Sequence, residues 1–235
     1  MKHTITLALL LSMTVTAHAS DNCRPPINDT QQNYIIGYGS LMQSQSRQRT
    51  TPNATHAYPI EVRGFKRVWG FHGGHYPVTF LTLLRAPKQR LDGVYYAEDS
   101  DQIEATDNRE RSYCRIEVPH NHLKPLGLSS LPAGHYWIYA QPTNHVEKPS
   151  KSYPLVQSYV DIFLEGCLQM QTTYQLPDFA NQCIKQTHGW PSAVDNADWI
   201  NDRVHARRPF DSPYAVTIDR LLSAHFDHYF DHPIE

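Results

Sequence analysis

The stretch NYIIGYGSLM, Asn33–Met42, runs apolar and β-branched to Ile36, then breaks on two glycines that bracket Tyr38 and are followed at once by Ser40. An apolar run of this length reads as a strand buried on both faces. Gly37 and Gly39 remove side chains at its end, so the backbone can turn tightly and be approached closely. Amide N–H groups gathered at such a turn form a concavity suited to an anion, a carboxylate included. Plain turn chemistry would produce the same pattern, so its meaning depends on what the rest of the chain supplies.

Working outward, further strand patterns occupy residues 34–38, 58–69 (YPIEVRGFKRVW), 77–85 (PVTFLTLLR), 91–97 (LDGVYYA), 113–118 (YCRIEV) and 135–140 (HYWIYA). Each is rich in β-branched or aromatic residues and bounded by Gly, Pro or Asp. Between the fourth and fifth, SDQIEATDNRER (100–111) predicts a short helix with Ser100 as its N-cap. After Gln141 the period changes. Apolar side chains at Leu155, Val156, Tyr159, Val160, Phe163, Leu164 and Cys167 form the stripe of an amphipathic helix over 153–170. A shorter helix is expected in LPDFANQCIKQT, with Pro177 near its start, and a third over 214–230. Strands first and helices last predict an α+β or mixed α/β class in one domain.

The first residues read as a leader. Lys2 and His3 precede an apolar run from about Ile5 to Val15, and small residues close it at Ala17–Ala19. This pattern predicts a signal peptide over residues 1–19, cleaved after Ala19, with an apolar run too short to span a bilayer. A polar arm over 20–33 and a single domain over 34–235, helical from about 153, complete the expected organisation. An exported protein, periplasmic or secreted, follows. Cys23 lacks the small-residue context that would mark lipid attachment, and no later segment is long and apolar enough to cross a membrane as a helix.

The remaining composition is ordinary: 40% hydrophobic, 19% charged and a net charge of −2, without the basic footprint of a nucleic-acid binder. Tyrosine is abundant, at 14 copies, and suits pocket walls that need an apolar body with a polar tip. Four cysteines in an oxidising compartment allow three full pairings. Cys167 and Cys183 are the expected pair, on neighbouring helical segments; closing a loop of about 15 residues contributes ~3 kcal/mol in the chain-entropy model. Cys23 and Cys114 are left unassigned.

The second stretch that carries chemistry is TDNRERSYCRIEV, 106–118. Glu110 follows the short helix and stands three residues before the strand that begins near Tyr113. A carboxylate at such a junction can point into a cleft, although charge runs such as NRER commonly face water.

Taken together, YIIGYGSLM, RGFKR, LDGVYYAE and DNRERSY resemble the gamma-glutamylcyclotransferase family, including its ChaC-like and AIG2-like bacterial members. PSKSYPLVQSYVDIFLEGCL and WINDRVHARRP look like the longer ChaC-related proteins, and the resemblance runs from Tyr34 to about Pro209. Leu41 stands where mammalian members carry asparagine, and Met42 and Gln43 stand near where ChaC enzymes carry tryptophan. The resemblance implies a small mixed β-sheet or barrel with peripheral helices and a helical C-terminal extension, and cyclisation of a γ-glutamyl group to 5-oxoproline with release of the attached amine. It implies Glu110 as general acid and base, aided by a pKa raised in a partly apolar cleft. Gly37, Tyr38, Gly39, Ser40 and Leu41 would hold the substrate, with Tyr113 as a pocket wall. It implies no metal and no cofactor. The implied partner is a small γ-glutamyl molecule, neither nucleic acid nor membrane, and the oligomeric state stays open.

Other readings of the same residues remain. His225, His228 and His232 share a helical face near Asp227 and Asp231, a possible cation site, and HGGH at 72–75 is a weaker one. A hydrolase built on Ser40 is disfavoured because GYGSL is not the G-x-S-x-G elbow. Cys114 as a nucleophile competes with its oxidation or burial. A non-catalytic exported protein binding a γ-glutamyl or other carboxylate ligand in the same pocket is the alternative to the enzyme.

Overall fold

In the computed structural model, residues 23–27, 30–73, 76–191, 198–203 and 212–226 are described. The elements in chain order are β1 (Asn33–Gly37), a 3-10 turn at Ser40–Met42, α1 (Ser44–Gln48), β2 (Tyr58–His72), β3 (Thr79–Glu98), α2 (Ser100–Arg109) and β4 (Cys114–Glu117). Then come β5 (Leu123–Pro125), β6 (His135–Ala140), β7 (Leu155–Val156), α3 (Gln157–Thr173), α4 (Phe179–Lys185), β8 (Thr187–His188), β9 (Trp199–Ile200) and α5 (Ala215–Ser223). The class is α+β, as the order of patterns predicts.

One mixed sheet of seven strands runs β4-β6-β1-β3-β2-β5, with β8 added to β2. β1 lies inside it, antiparallel to β3 and parallel to β6. Ile35 and Ile36 are wholly buried, which is why this strand reads as a continuous apolar run rather than an alternating one. Its exit is closely packed. A Cβ on Gly37 would come within 2.9 Å of the Leu41 Cβ, so glycine is what lets the chain fold back on itself there. Gly166 plays the same part from the other side: a Cβ would meet the Gln43 amide nitrogen and Met42 Cβ at 2.6 Å, so α3 can lie directly against the turn.

Several boundaries differ from expectation for physical reasons. The strands expected at 77–85 and 91–97 are one strand, β3, of 20 residues. Residues 86–89 of β3, with Pro87, are themselves a bulge: Arg63 pairs with Arg90 and Phe65 with Arg85, so these four residues stand opposite Gly64 alone. Turn-like composition there marks a bulge rather than a break. The cap of α2 is Asp99, not Ser100. Residues 155–156 form β7, paired parallel with β9, so α3 begins only at Gln157. Helix α5 ends at Ser223, and residues 227–230 of the expected third helix lie outside the described residues.

Helix α3 is not amphipathic in the expected sense, because its polar side is buried as well. Burial of those groups is offset by partners. Arg203 forks onto both oxygens of Asp161 at 2.7 and 2.8 Å, Ser158 donates to Asp202 at 2.8 Å, and Glu165 accepts from Gln43 at 2.9 Å and from Ser212 at 2.6 Å.

Two disulfides are present. Cys167–Cys183 joins α3 to α4, as expected. Cys23–Cys114 joins the polar arm to the start of β4, which settles the pairing that the sequence left open and removes Cys114 as a free nucleophile. Residues 1–19, expected as a leader, lie outside the described residues. Among the described residues no helix is long and apolar enough to cross a membrane.

Candidate active site

The 3-10 turn after β1 forms one wall of a cavity of about 260 Å³. The turn's own hydrogen bond runs from the Met42 N–H to the Gly39 oxygen at 3.0 Å, so the amides of Ser40 and Leu41 precede it, as the first donors of any helical turn do. Tyr38, Gly39, Ser40 and Leu41 all line the cavity. Gly37 does not: it sits behind the turn, against Leu41.

The facing wall comes from the junction of α2 and β4, and Glu110 sits there. Glu110 caps α2, with its N–H still bonded to the Thr106 oxygen at 2.9 Å, and the chain then leaves the helix axis. The Tyr113 N–H bonds to the Glu110 oxygen at 2.8 Å, tightening this turn. Among the described residues lining the cavity, Glu110 carries the one carboxylate. The sequence thus brings GYGSL and NRER to opposite sides of one cleft, although about 70 residues separate them in the chain.

Aromatic side chains close the remaining sides. Tyr113 is buried, its hydroxyl donating to the Leu81 oxygen at 3.0 Å, and its ring lies 4.8 Å from Phe71. Tyr159 enters from α3. Burial pushes the Tyr38 phenol well above its ordinary pKa, and the Glu110 carboxylate and Tyr159 add to that rise. Tyr113 is raised in the same way by burial, then by Tyr38, Tyr159 and Glu110. Both phenols are therefore neutral near pH 7, able to donate hydrogen bonds and unsuited to act as bases.

Two arginines organise this region, and reading the sequence singled out neither. Arg67 is fully buried under the turn, donating to Tyr38 O at 3.2 Å, Asp92 O at 2.8 Å, Cys183 O at 2.9 Å and Thr187 Oγ1 at 2.7 Å. Its burial lowers the guanidinium pKa to about 9, because these partners do not make up fully for the water the charge has lost. Arg109 lies in the cavity wall itself, its Nε 3.3 Å from Glu110 Oε1 and its Nη2 3.2 Å from Ser40 Oγ. A charge run that reads as solvated therefore includes a side chain bridging both halves of the site. The clue available beforehand was adjacency: Arg109 immediately precedes the carboxylate.

The histidine readings acquire other partners. The His225 ring nitrogen Nε2 is 3.1 Å from Asn181 Oδ1, while His228 and His232 lie outside the described residues. His72 stacks on Tyr153 at 4.3 Å, and His75 is likewise outside. Among the described residues, no group of three or more His, Cys, Asp or Glu is arranged to hold a metal ion.

The family model described as "Gamma-glutamyl cyclotransferase, AIG2-like" matches residues 35–157, a span that contains both walls of the cleft. Among solved structures, YkqA from Bacillus subtilis is similar at 14% identity and a TM-score of 0.50, over 66% of this chain and 53% of that one. A structure titled gamma-glutamyl cyclotransferase is similar at 13% identity and a TM-score of 0.51, over 81% of this chain and 99% of that one. The chain thus spans about half the length of YkqA. No curated protein matches the chain significantly. At such identities the two structures share a fold with this chain.

Proposed function

Because this chain belongs to the gamma-glutamyl cyclotransferase, AIG2-like family, we propose that it cyclises a γ-glutamyl group to 5-oxoproline and releases the attached amine. The observation that carries this reading is Glu110, the one carboxylate among the described residues lining an aromatic-walled cleft, facing a backbone turn across it. The reaction needs little else. Its nucleophile, the α-amine, is part of the substrate, so catalysis consists mainly of folding that amine onto the side-chain carbonyl.

In the proposed mechanism, Glu110 takes a proton from the α-ammonium. The freed lone pair attacks the δ-carbonyl carbon and closes a five-membered ring. The bond from that carbon to the leaving nitrogen then breaks as Glu110 returns the proton to that nitrogen, and the second proton of the ring nitrogen passes through the regenerated carboxylate to the released amine, which leaves as an ammonium. Atoms balance without water: one γ-glutamyl amide becomes one 5-oxoproline and one amine. The amides of Gly39, Ser40 and Leu41, with the Ser40 hydroxyl, hold the α-carboxylate or the oxyanion that develops on the attacked carbonyl. Neither role calls for an ion or a cofactor. Glutathione, other γ-glutamyl peptides and γ-glutamylamines all fit this chemistry. Two disulfides support action in an oxidising compartment after export.

The test is to incubate the mature protein with a panel of these three substrate types and measure 5-oxoproline. Release from at least one is expected. Tight binding without release would assign the same cleft to a carboxylate-binding protein instead.

A further inference from the structure

We propose that Arg109 is the positioning residue of this site, a single guanidinium that fixes the Glu110 carboxylate and the Ser40 hydroxyl relative to each other. The role rests on the cyclisation reading above. A guanidinium offers five N–H donors in a rigid fork. Here Nη1 donates to Ser46 O at 2.5 Å and Thr50 Oγ1 at 3.4 Å, and Nη2 donates to Ser46 Oγ at 2.9 Å and Ser40 Oγ at 3.2 Å. Nε forms the ion pair with Glu110 Oε1 at 3.3 Å.

Two consequences follow. First, every arm of the fork already has a protein partner, so Arg109 cannot grip a substrate carboxylate without releasing one of them. It acts through its neighbours. Second, Ser40 Oγ accepts from Arg109, and a hydroxyl has only one hydrogen of its own to give. That hydrogen is directed away from the guanidinium, which makes Ser40 a donor on the cavity wall. Anchorage to Ser46, in α1, and to Thr50, just after it, ties the end of α2 to the chain leaving the 3-10 turn. The two walls of the cleft are thereby held in register by one side chain.

Among the described residues, phenols also lie near the Glu110 side chain: Tyr38 from the turn after β1, Tyr96 from β3 and Tyr113 from the α2–β4 junction, all kept neutral by burial. Arg24 from the arm meets the Glu110 backbone oxygen at 3.3 Å, and Arg111 is exposed on the rim. Arg109 pairs with the carboxylate itself.

The experiment compares Arg109→Gln and Arg109→Lys with the wild type. Carbon-13 NMR of labelled glutamate carboxyls follows the Glu110 titration, steady-state kinetics follow 5-oxoproline release, and thermal melting confirms folding. In Arg109→Gln the Glu110 midpoint should rise by about one pH unit, since an adjacent opposite charge is removed. KM should rise about tenfold as Ser40 loses its orientation. Arg109→Lys should restore the midpoint but not KM, because lysine supplies the charge without the fork. A folded glutamine variant whose midpoint and KM stay at wild-type values would reduce Arg109 to a structural brace. If glutamine prevents folding, lysine decides alone: unchanged kcat and KM would overturn the proposal. A wild-type protein that releases no 5-oxoproline would remove the cyclisation reading, while the titration would still decide whether Arg109 governs Glu110.

Discussion

Glu110 and Gly39 face each other across the cleft, and in the proposed mechanism they divide chemistry from binding. Glu110→Gln keeps the shape and polarity of the side chain but cannot carry a proton. General acid–base catalysis supplies about 10²–10⁴-fold, so 5-oxoproline release should fall by that factor while KM and the melting temperature change little. Near-normal turnover in a folded Glu110→Gln protein would refute the mechanism. Gly39 tests the other half. A Cβ there would lie 3.4 Å from the Tyr159 hydroxyl and 3.6 Å from Leu81, so alanine fits but a branched residue crowds the wall. Gly39→Val should raise KM about tenfold or more with a smaller effect on kcat, measured by initial rates over a range of substrate. A loss confined to kcat would place the turn in chemistry rather than in binding.

The α2–β4 junction owes its position to a second element, the N-terminal arm. Cys23 is bonded to Cys114, its carbonyl accepts from the Arg115 N–H at 2.9 Å, and Arg115 Nη2 reaches the Pro25 oxygen at 2.5 Å. Arg115 also pairs with Asp107 at 2.5 Å, and Tyr139 donates to the same carboxylate at 2.7 Å. The arm therefore clamps the turn that presents Glu110. Replacing both Cys23 and Cys114 with serine should lower stability by about 2–5 kcal/mol in denaturant melts. It should also lower kcat of the folded fraction, because the catalytic junction loses one of its anchors. Replacing Cys167 and Cys183 should lower stability by about 3 kcal/mol, since that bond joins α3 to α4 rather than holding Glu110. An equal kcat loss from both pairs would contradict a specific role for the arm.

Over the whole molecule, stability should depend on pH through a buried acid that does not line the cavity. Glu98, at the end of β3, accepts from Thr51 and from Thr106, the latter at 2.7 Å, while its Oε2 is buried without a hydrogen-bond partner among the described residues. Burial pushes this carboxyl above its ordinary value of 4.5, with the two threonine hydrogen bonds opposing the shift. An acid raised in the folded state binds its proton more tightly there than in the unfolded chain. Its stabilising contribution is fully present below the unfolded value and is lost as pH rises through the folded one. Glu98→Gln cannot titrate, so the difference in Tm, wild type minus variant, should shrink as pH rises from 4.5 toward neutrality. A difference that stays flat across that range would show that Glu98 does not carry the effect.

What the sequence by itself determined is what local physics can encode. The strand at 33–37, the helix before Glu110, the α+β order and the Cys167–Cys183 pair are each written in composition and period over a few residues. Family resemblance, carried by GYGSL and Glu110, was legible for the same reason, because both motifs are short and contiguous. Features that depend on distant partners were not. The bulge opposite Gly64 looks like a break between strands until β2 is laid along β3. The polar face of α3 looks solvated until Arg203, Asp202 and Ser212 are folded onto it. Arg109 looks like one charge among several until the turn after β1 brings Ser40 within 3.2 Å of it. Only tertiary packing decides whether a polar side chain meets water or another part of the chain, because its own neighbours in sequence carry no information about what the fold will place opposite it.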